Sequence, residues 1–190
     1  KNHIFCRIIE QQRQHVAAIY LLGDVFDCWL GGDDIPLWLK TTSDVLNTTT
    51  LHHCPIYLMC GNHDFMISKK LCHNLGVAWL DDPTAIQHGP HTLLITHGDQ
   101  LCTNDHNYQR LRKILHSRMF KLCFNNMPEH FKQHFAKQLK NSSNKANAGL
   151  PDHCKPVAST GVAMCQQHQA QALIHGHTHI PKLEVWRDLD

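Results

Sequence analysis

Four short apolar runs, at residues 18–22, 55–60, 92–96 and 170–174, punctuate a chain whose longer intervals carry apolar residues three or four positions apart. The runs are rich in Ile, Leu and Tyr and do not alternate with polar residues, which predicts strands covered on both faces. Helical spacing between them predicts a layered α/β arrangement. Near the N-terminus Ile4, Ile8 and His15 mark the apolar face of an opening helix. Residues 41–50, with five threonines, have poor helix propensity, yet two parallel strands on either side require a crossover there. Further on, Leu111, Ile114, Leu115, Met119 and Leu122 form one helical stripe and Phe131, Phe135 and Leu139 another, with Pro128 opening the second. Together these predict a helical hairpin, followed by a polar loop over 141–149.

Each apolar run ends in a motif able to carry chemistry. Gly23-Asp24 follows the first, Gly61-Asn62-His63-Asp64 the second, His97-Gly98-Asp99 the third and His175-Gly-His-Thr-His179 the fourth. In open α/β sheets ligands bind beyond the carboxyl ends of the strands, so the four motifs predict one polar pocket. Each has an ordinary reading when taken alone. Asp24 could be a turn carboxylate, Gly61-Asn62 is a common turn signal, and 18 histidines guarantee several without chemistry, among them His52, His53, His88, His91, His130 and His153. Four such motifs in sequence are harder to dismiss. Gly176 leaves room for close approach, His177 and His179 alternate on one side, His175 suits a supporting position, and Asp64 and Asp99 suit orienting ligands or capping turns. A carboxylate, an amide oxygen and several imidazoles favour Mn²⁺, Fe²⁺ or Zn²⁺, and paired ions about 3.5–4 Å apart are the usual device for displacement at phosphorus.

In this order the motifs resemble the calcineurin-like metallophosphoesterase superfamily over nearly the whole chain. The resemblance implies an α/β sandwich of two mixed sheets flanked by helices, a single domain spanning 1–190 with a helical cap inserted at about 106–151. It further implies that Asp24 bridges two Mn²⁺ ions, that Asn62, His97 and His177 complete one, and that His179 ligates the other. The strings Tyr20-Leu-Leu-Gly-Asp-Val-Phe-Asp27, Trp29-Leu-Gly-Gly-Asp-Asp34 and His97-Gly-Asp-Gln-Leu-Cys-Thr-Asn-Asp105 are similar to the branch acting on UDP-2,3-diacylglucosamine in lipid A synthesis. That branch implies metal-activated water attacking the α-phosphorus to give UMP and the 1-phosphate of the diacylated sugar. Asn62 and His63 would be catalytic, and Asn62, His63, Asp105, Ser143, Asn147 and His177 would hold substrate. His63 stands where the lipid A hydrolases usually carry Arg, and Leu150 where they carry a lysine, which leaves Lys145 or Lys155 as the substitute. No Asp-x-His, the superfamily's first motif, precedes Asp24, and the chain stops soon after Trp186. The resemblance therefore implies missing segments at both ends and little or no turnover by these 190 residues alone.

Charge sharpens the reading of the cap. The formal net charge is only +2, yet half of the 18 Lys and Arg fall within 106–151, against the single acid Glu129. A basic, amphipathic cap could hold acyl chains on its apolar side and anionic headgroups on its basic side, or its apolar stripe could simply pack on the core. Cytoplasmic location with peripheral contact at the inner membrane follows from the resemblance. Nucleic acid is not an expected partner, since no recognisable binding motif accompanies the basic residues. Nine scattered cysteines without Cys-x-x-Cys spacing fit buried free thiols rather than a zinc ribbon or disulfide framework. Two other functions remain open, namely a generic metallophosphoesterase acting on nucleotides or phosphoproteins, and a non-catalytic scaffold of the same fold.

Overall fold

The strand sequence Ile-Tyr-Leu occurs twice, and the two copies lie side by side. In the computed structural model, which describes residues 2–146 and 155–185, β1 (Ile19–Leu21) pairs in parallel with β2 (Ile56–Leu58), placing Ile19 opposite Ile56, Tyr20 opposite Tyr57 and Leu21 opposite Leu58. The tyrosine rings stack with centroids 5.0 Å apart and planes 11° from parallel. β3 (Ala78–Trp79) joins β2 in parallel, so the first sheet runs β1-β2-β3. Its crossovers are helical: α1 (Asn2–Gln12) precedes β1, α2 (Lys40–Leu51) lies between β1 and β2, and α3 (Lys69–Asn74) between β2 and β3.

Packing overrides propensity in α2. Thr42, Ser43, Leu46 and Thr49 are buried, and the segment's polar side chains bond backward to its own carbonyls, Thr48 Oγ1 to Asp44 O at 2.7 Å and Asn47 Nδ2 to Ser43 O at 2.9 Å. The opening helix forms as expected, but its packed face is different. Cys6 and Ile9 are buried and Phe5 packs on the core, while Ile4 and Ile8 are exposed, because α1 turns the residues nearest α2 inward.

The second sheet runs β4-β5-β6. Antiparallel β4 (Thr84–His88) and parallel β6 (Ala172–His175) flank β5 (His91–Thr96), and α7 (Ala158–Gln167) leads into β6. All four sequence-based strands therefore exist, together with β3 and β4, which the apolar runs did not reveal. The cap stretch holds three described helices rather than a hairpin: α4 (His106–Leu115), α5 (Arg118–Asn125) and α6 (Glu129–Ala146). The break comes at Ser117, whose backbone is extended and whose hydroxyl caps α5 by accepting a hydrogen bond from Phe120 N. Pro128 lies just ahead of α6, its carbonyl accepting from Phe131 N and Lys132 N. The apolar stripe divides: Leu115 and Phe124 are buried and Phe120 and Phe135 pack against the core with Phe65, whereas Ile114, Met119, Leu122 and Phe131 are exposed.

Candidate metal centre

Two glycines set the backbone of the first half of the site. Gly23 has φ +83°, and a Cβ there would fall 2.5 Å from Gly61 N, while a Cβ on Gly61 would fall 2.5 Å from Asp24 N. The loops after β1 and β2 thus approach backbone to backbone, which only glycine permits. Asp24 itself takes a left-handed conformation at φ +53°, and its Oδ1 accepts a hydrogen bond from His63 N at 2.8 Å. Asp64, fully buried beneath, accepts from Gly61 N at 2.6 Å, Val25 N at 2.9 Å and Phe26 N at 3.4 Å, tying the two loops into one unit. Burial and the neighbouring Asp24 raise its pKa to about 6, despite these backbone donors.

The second half comes from the ends of β5 and β6. His97 is buried, and its Nδ1 lies 2.7 Å from Leu22 O, which links the two sheets at their carboxyl ends. A carbonyl only accepts, so in the neutral ring the proton sits on Nδ1 and Nε2 presents a lone pair. That Nε2 lies 3.0 Å from Asn62 Oδ1 and 3.5 Å from Asp24 Oδ2, while His177 Nδ1 lies 2.9 Å from the same Asn62 oxygen. Among the described residues, Asp24, His97 and His177 bring their ligand atoms within 4.8 Å of one another. The His97 Nε2 lone pair thus faces two oxygens, those of Asn62 and Asp24, an arrangement that is repulsive unless a cation is shared, so the donor set fits a divalent ion held by nitrogen and oxygen. Burial, reinforced by His97, pushes the His177 pKa down to about 4, keeping its imidazole neutral and able to ligate.

His177 and His179 also have left-handed backbones, φ +66° and +55°, a strain that side chains other than glycine bear where a site fixes them. His179 is exposed and stands outside the three-residue cluster. His63 is half-buried, its carbonyl accepting from Trp29 N at 3.1 Å. His175 Nδ1 lies 2.9 Å from Gly176 O. Asp105 caps α4 by accepting from Tyr108 N at 2.9 Å. Ser143 falls within α6, but its side chain, Asn147 and Leu150 lie outside the described residues.

Sequence reasoning did not find Asp82, Tyr108 and Arg112. Asp82 Oδ1 accepts from His97 N at 3.1 Å and from Thr96 Oγ1 at 2.6 Å. The Tyr108 ring stacks on His177 at 6.3 Å, and its hydroxyl donates to Asp99 at 2.6 Å. Burial opposes a charge on Asp99, but Arg112, His97 and Tyr108 outweigh it and hold the carboxyl below its usual range. The only available signal was the spacing of Tyr108 and Arg112, one helical turn apart behind Asp105.

Two catalytic-end loops joined through glycine, a carboxylate and two imidazoles on converging strand ends, and a covering helix define a metal-dependent phosphoesterase architecture. The chain belongs to the calcineurin-like phosphoesterase family, whose pattern matches residues 3–181. More particularly, it is 31% identical over 180 residues to the UDP-2,3-diacylglucosamine hydrolase of Yersinia pseudotuberculosis serotype O:1b (strain IP 31758), covering 94% of this chain and 75% of that protein. It is 33% identical over 180 residues to the protein of the same name from Stutzerimonas stutzeri (strain A1501), covering 93% and 74%, and 31% identical to that of Pseudomonas entomophila (strain L48), covering 94% and 75%.

Proposed function

We propose that this chain hydrolyses the diphosphate of UDP-2,3-diacylglucosamine, water adding to the α-phosphorus to release UMP and 2,3-diacylglucosamine 1-phosphate. The observation that carries this reading is the similarity to hydrolases of that name over almost the entire chain, through all four strand-end motifs.

Asp24, His97 and His177, with the Asn62 oxygen, would hold one divalent ion, and Asp24 with His179 would serve a second; Mn²⁺ suits these donors. Such ions supply Lewis acidity to the phosphoryl oxygens and an acidified water as nucleophile. The chain's own residues do the positioning. Asn62 presents its amide at the reacting phosphoryl group, and His63 stabilises charge on that group or protonates the leaving oxygen. His63 is placed for this by its backbone N–H on Asp24. Asp105, Ser143 and Asn147 would grip the sugar and phosphate portion. The exposed Ile114, Met119, Leu122 and Phe131 on the cap would meet acyl chains. Arg110, Lys113 and Arg118 among them favour anionic headgroups, as at the cytoplasmic face of an inner membrane. Attachment of this kind would be peripheral; none of the described helices is long and apolar enough to cross a membrane.

The test is Mn²⁺-dependent release of UMP from UDP-2,3-diacylglucosamine, run beside its deacylated counterpart, on this chain and in a parallel preparation that carries any natural sequence flanking it. Strong preference for the acylated substrate is expected. Equal turnover of both would point to a generic phosphoesterase, and metal binding without turnover in either preparation to a scaffold. Flotation with anionic vesicles tests the attachment.

A further inference from the structure

One side chain of α4 reaches two acids that support the ligand strand. Arg112, on the last turn of α4, is 17% exposed, and its guanidinium spans the buried carboxylate of Asp99 and the partly buried one of Asp82, Nε on Asp99 Oδ2 at 2.8 Å and Nη2 on Asp82 Oδ2 at 3.3 Å. Both acids bear on the centre. Asp82 holds the backbone N–H of His97 and, through Gln100 Nε2 at 3.2 Å, the turn that follows. Asp99 takes the hydroxyl of Tyr108, whose ring lies along His177. One residue further along α4, Gln109 Nε2 donates to Asp99 O at 2.9 Å and Cys102 O at 3.1 Å, so three side chains of this helix converge on the segment after His97.

We propose that Arg112 is a positioning residue that couples the seating of the cap to the geometry of His97 and His177, so that α4 cannot lift without loosening both imidazoles. A fork of fixed geometry is needed to hold two acids at once, which a lysine ammonium does not supply. Coupling of this kind is reciprocal: whatever steadies the imidazoles must also steady α4. Contact between Arg112 and substrate is not part of the inference, because the guanidinium is committed to the two carboxylates.

Amide hydrogen exchange on the full chain tests this directly. In Arg112→Lys, which keeps the charge and spares the fold, the amides of His97 and of the last turn of α4 should each lose roughly tenfold in protection together. The amide of Leu58, in the other sheet, should not move. Lys113→Met, removing an exposed charge from the same helix, should change neither. Added Mn²⁺ should slow exchange in the last turn of α4 in the unaltered chain, and this effect should largely vanish in Arg112→Lys, whose Mn²⁺ affinity should fall about tenfold. Unchanged protection at His97 in Arg112→Lys would overturn the proposal, as would a Mn²⁺ effect on α4 of equal size in both proteins. If the unaltered chain bound no Mn²⁺, the metal centre would be in error, and the metal-free loss at His97 would still decide the coupling.

Discussion

The two sheets support the site unequally. The first, carrying the loops of Asp24 and Asn62, rests on a core cluster that includes Ile56, Leu58, Phe65, Leu71 and Phe124. The second is buried mainly along β5, at Leu94, Ile95 and Thr96, while β6 alternates between exposed and half-buried, with Ile174 47% exposed. Asp24 and Asn62 therefore sit on backbone that cannot yield, whereas His177 and His179 stand at the end of an edge strand and depend on partners outside their own sheet: the Asn62 amide and the Tyr108 ring for His177. A hydrolytic centre assembled this way has one preformed half and one that is held in place.

The sharpest way to break this contrast is Gly61→Ala. Its Cβ would meet the Asp24 carboxylate and, at 2.5 Å, the Asp24 backbone nitrogen, which cannot swing away, so the substitution should cost about 3–5 kcal/mol in urea denaturation and abolish metal binding. A variant with nearly the parent's stability would show that the rigid half is soft after all. Next in size is a matched pair of truncations. Leu58→Ala empties a fully buried position of the first sheet and should cost about 2–4 kcal/mol, whereas Ile174→Ala in β6 should cost about 1 kcal/mol or less. Similar costs for both would erase the distinction between the sheets.

Within the centre, His97→Ala should weaken Mn²⁺ binding at the Asp24–His97–His177 cluster by about 100-fold or more, and His179→Ala by less than about tenfold, measured by titration calorimetry. Equal losses would place His179 among the ligands of the same ion.

The legible parts of this molecule were those in which a short stretch of sequence carries both element and chemistry. Ile-Tyr-Leu before Gly-Asp and before the Gly-Asn loop reads as strand and site at once, and Gly61-Asn62 and His97 announce the centre only because each is one of four such motifs that end successive strands. The crossover α2 was read from topology against propensity, and burial of Leu46 and Thr49 supplies what its threonines lack. The opening helix was assigned its wrong face, since Ile4 and Ile8 keep the same spacing as Phe5 and Ile9 and periodicity alone cannot say which stripe meets α2. The cap appeared as a hairpin because Ser117 breaks the stripe without interrupting its apolar count. Arg112 was counted with the basic, solvent-facing residues, since its two partners are distant in sequence: Asp99 is 13 residues away and Asp82 30. Long-range ion pairs leave no local pattern. Nor does strain: Asp and His enter the left-handed region more readily than most residues, but no local pattern marks Asp24 and His177 as the ones that adopt it.

A modest effect separates the cap from the rigid half by pH. His116, between α4 and α5, lies against the Phe65 ring, and burial, followed by the charge of Arg112, lowers its pKa to about 4. A pKa depressed below the unfolded value of about 6.5 means that the neutral ring's contribution is intact above that pH and is lost as acid carries the protein toward pH 4. Asp64 in the rigid half behaves oppositely. Its pKa, raised to about 6, favours the protonated folded state, and that contribution fades as pH rises from about 4 through 6. In the whole protein the two trends oppose one another across the same window, so total stability is a poor reporter. The difference between the parent and His116→Phe, which retains a ring against Phe65, isolates the cap's share. Measured by urea denaturation from pH 7.5 to 4, that difference should be flat above about pH 7 and shift against the parent by roughly 1–2 kcal/mol toward pH 4, the partial solvent contact of His116 keeping it below the full value of the shift. A difference independent of pH would mean that the cap yields enough to hydrate a protonated His116, and that the held half of the molecule extends beyond β6 into α4 and α5.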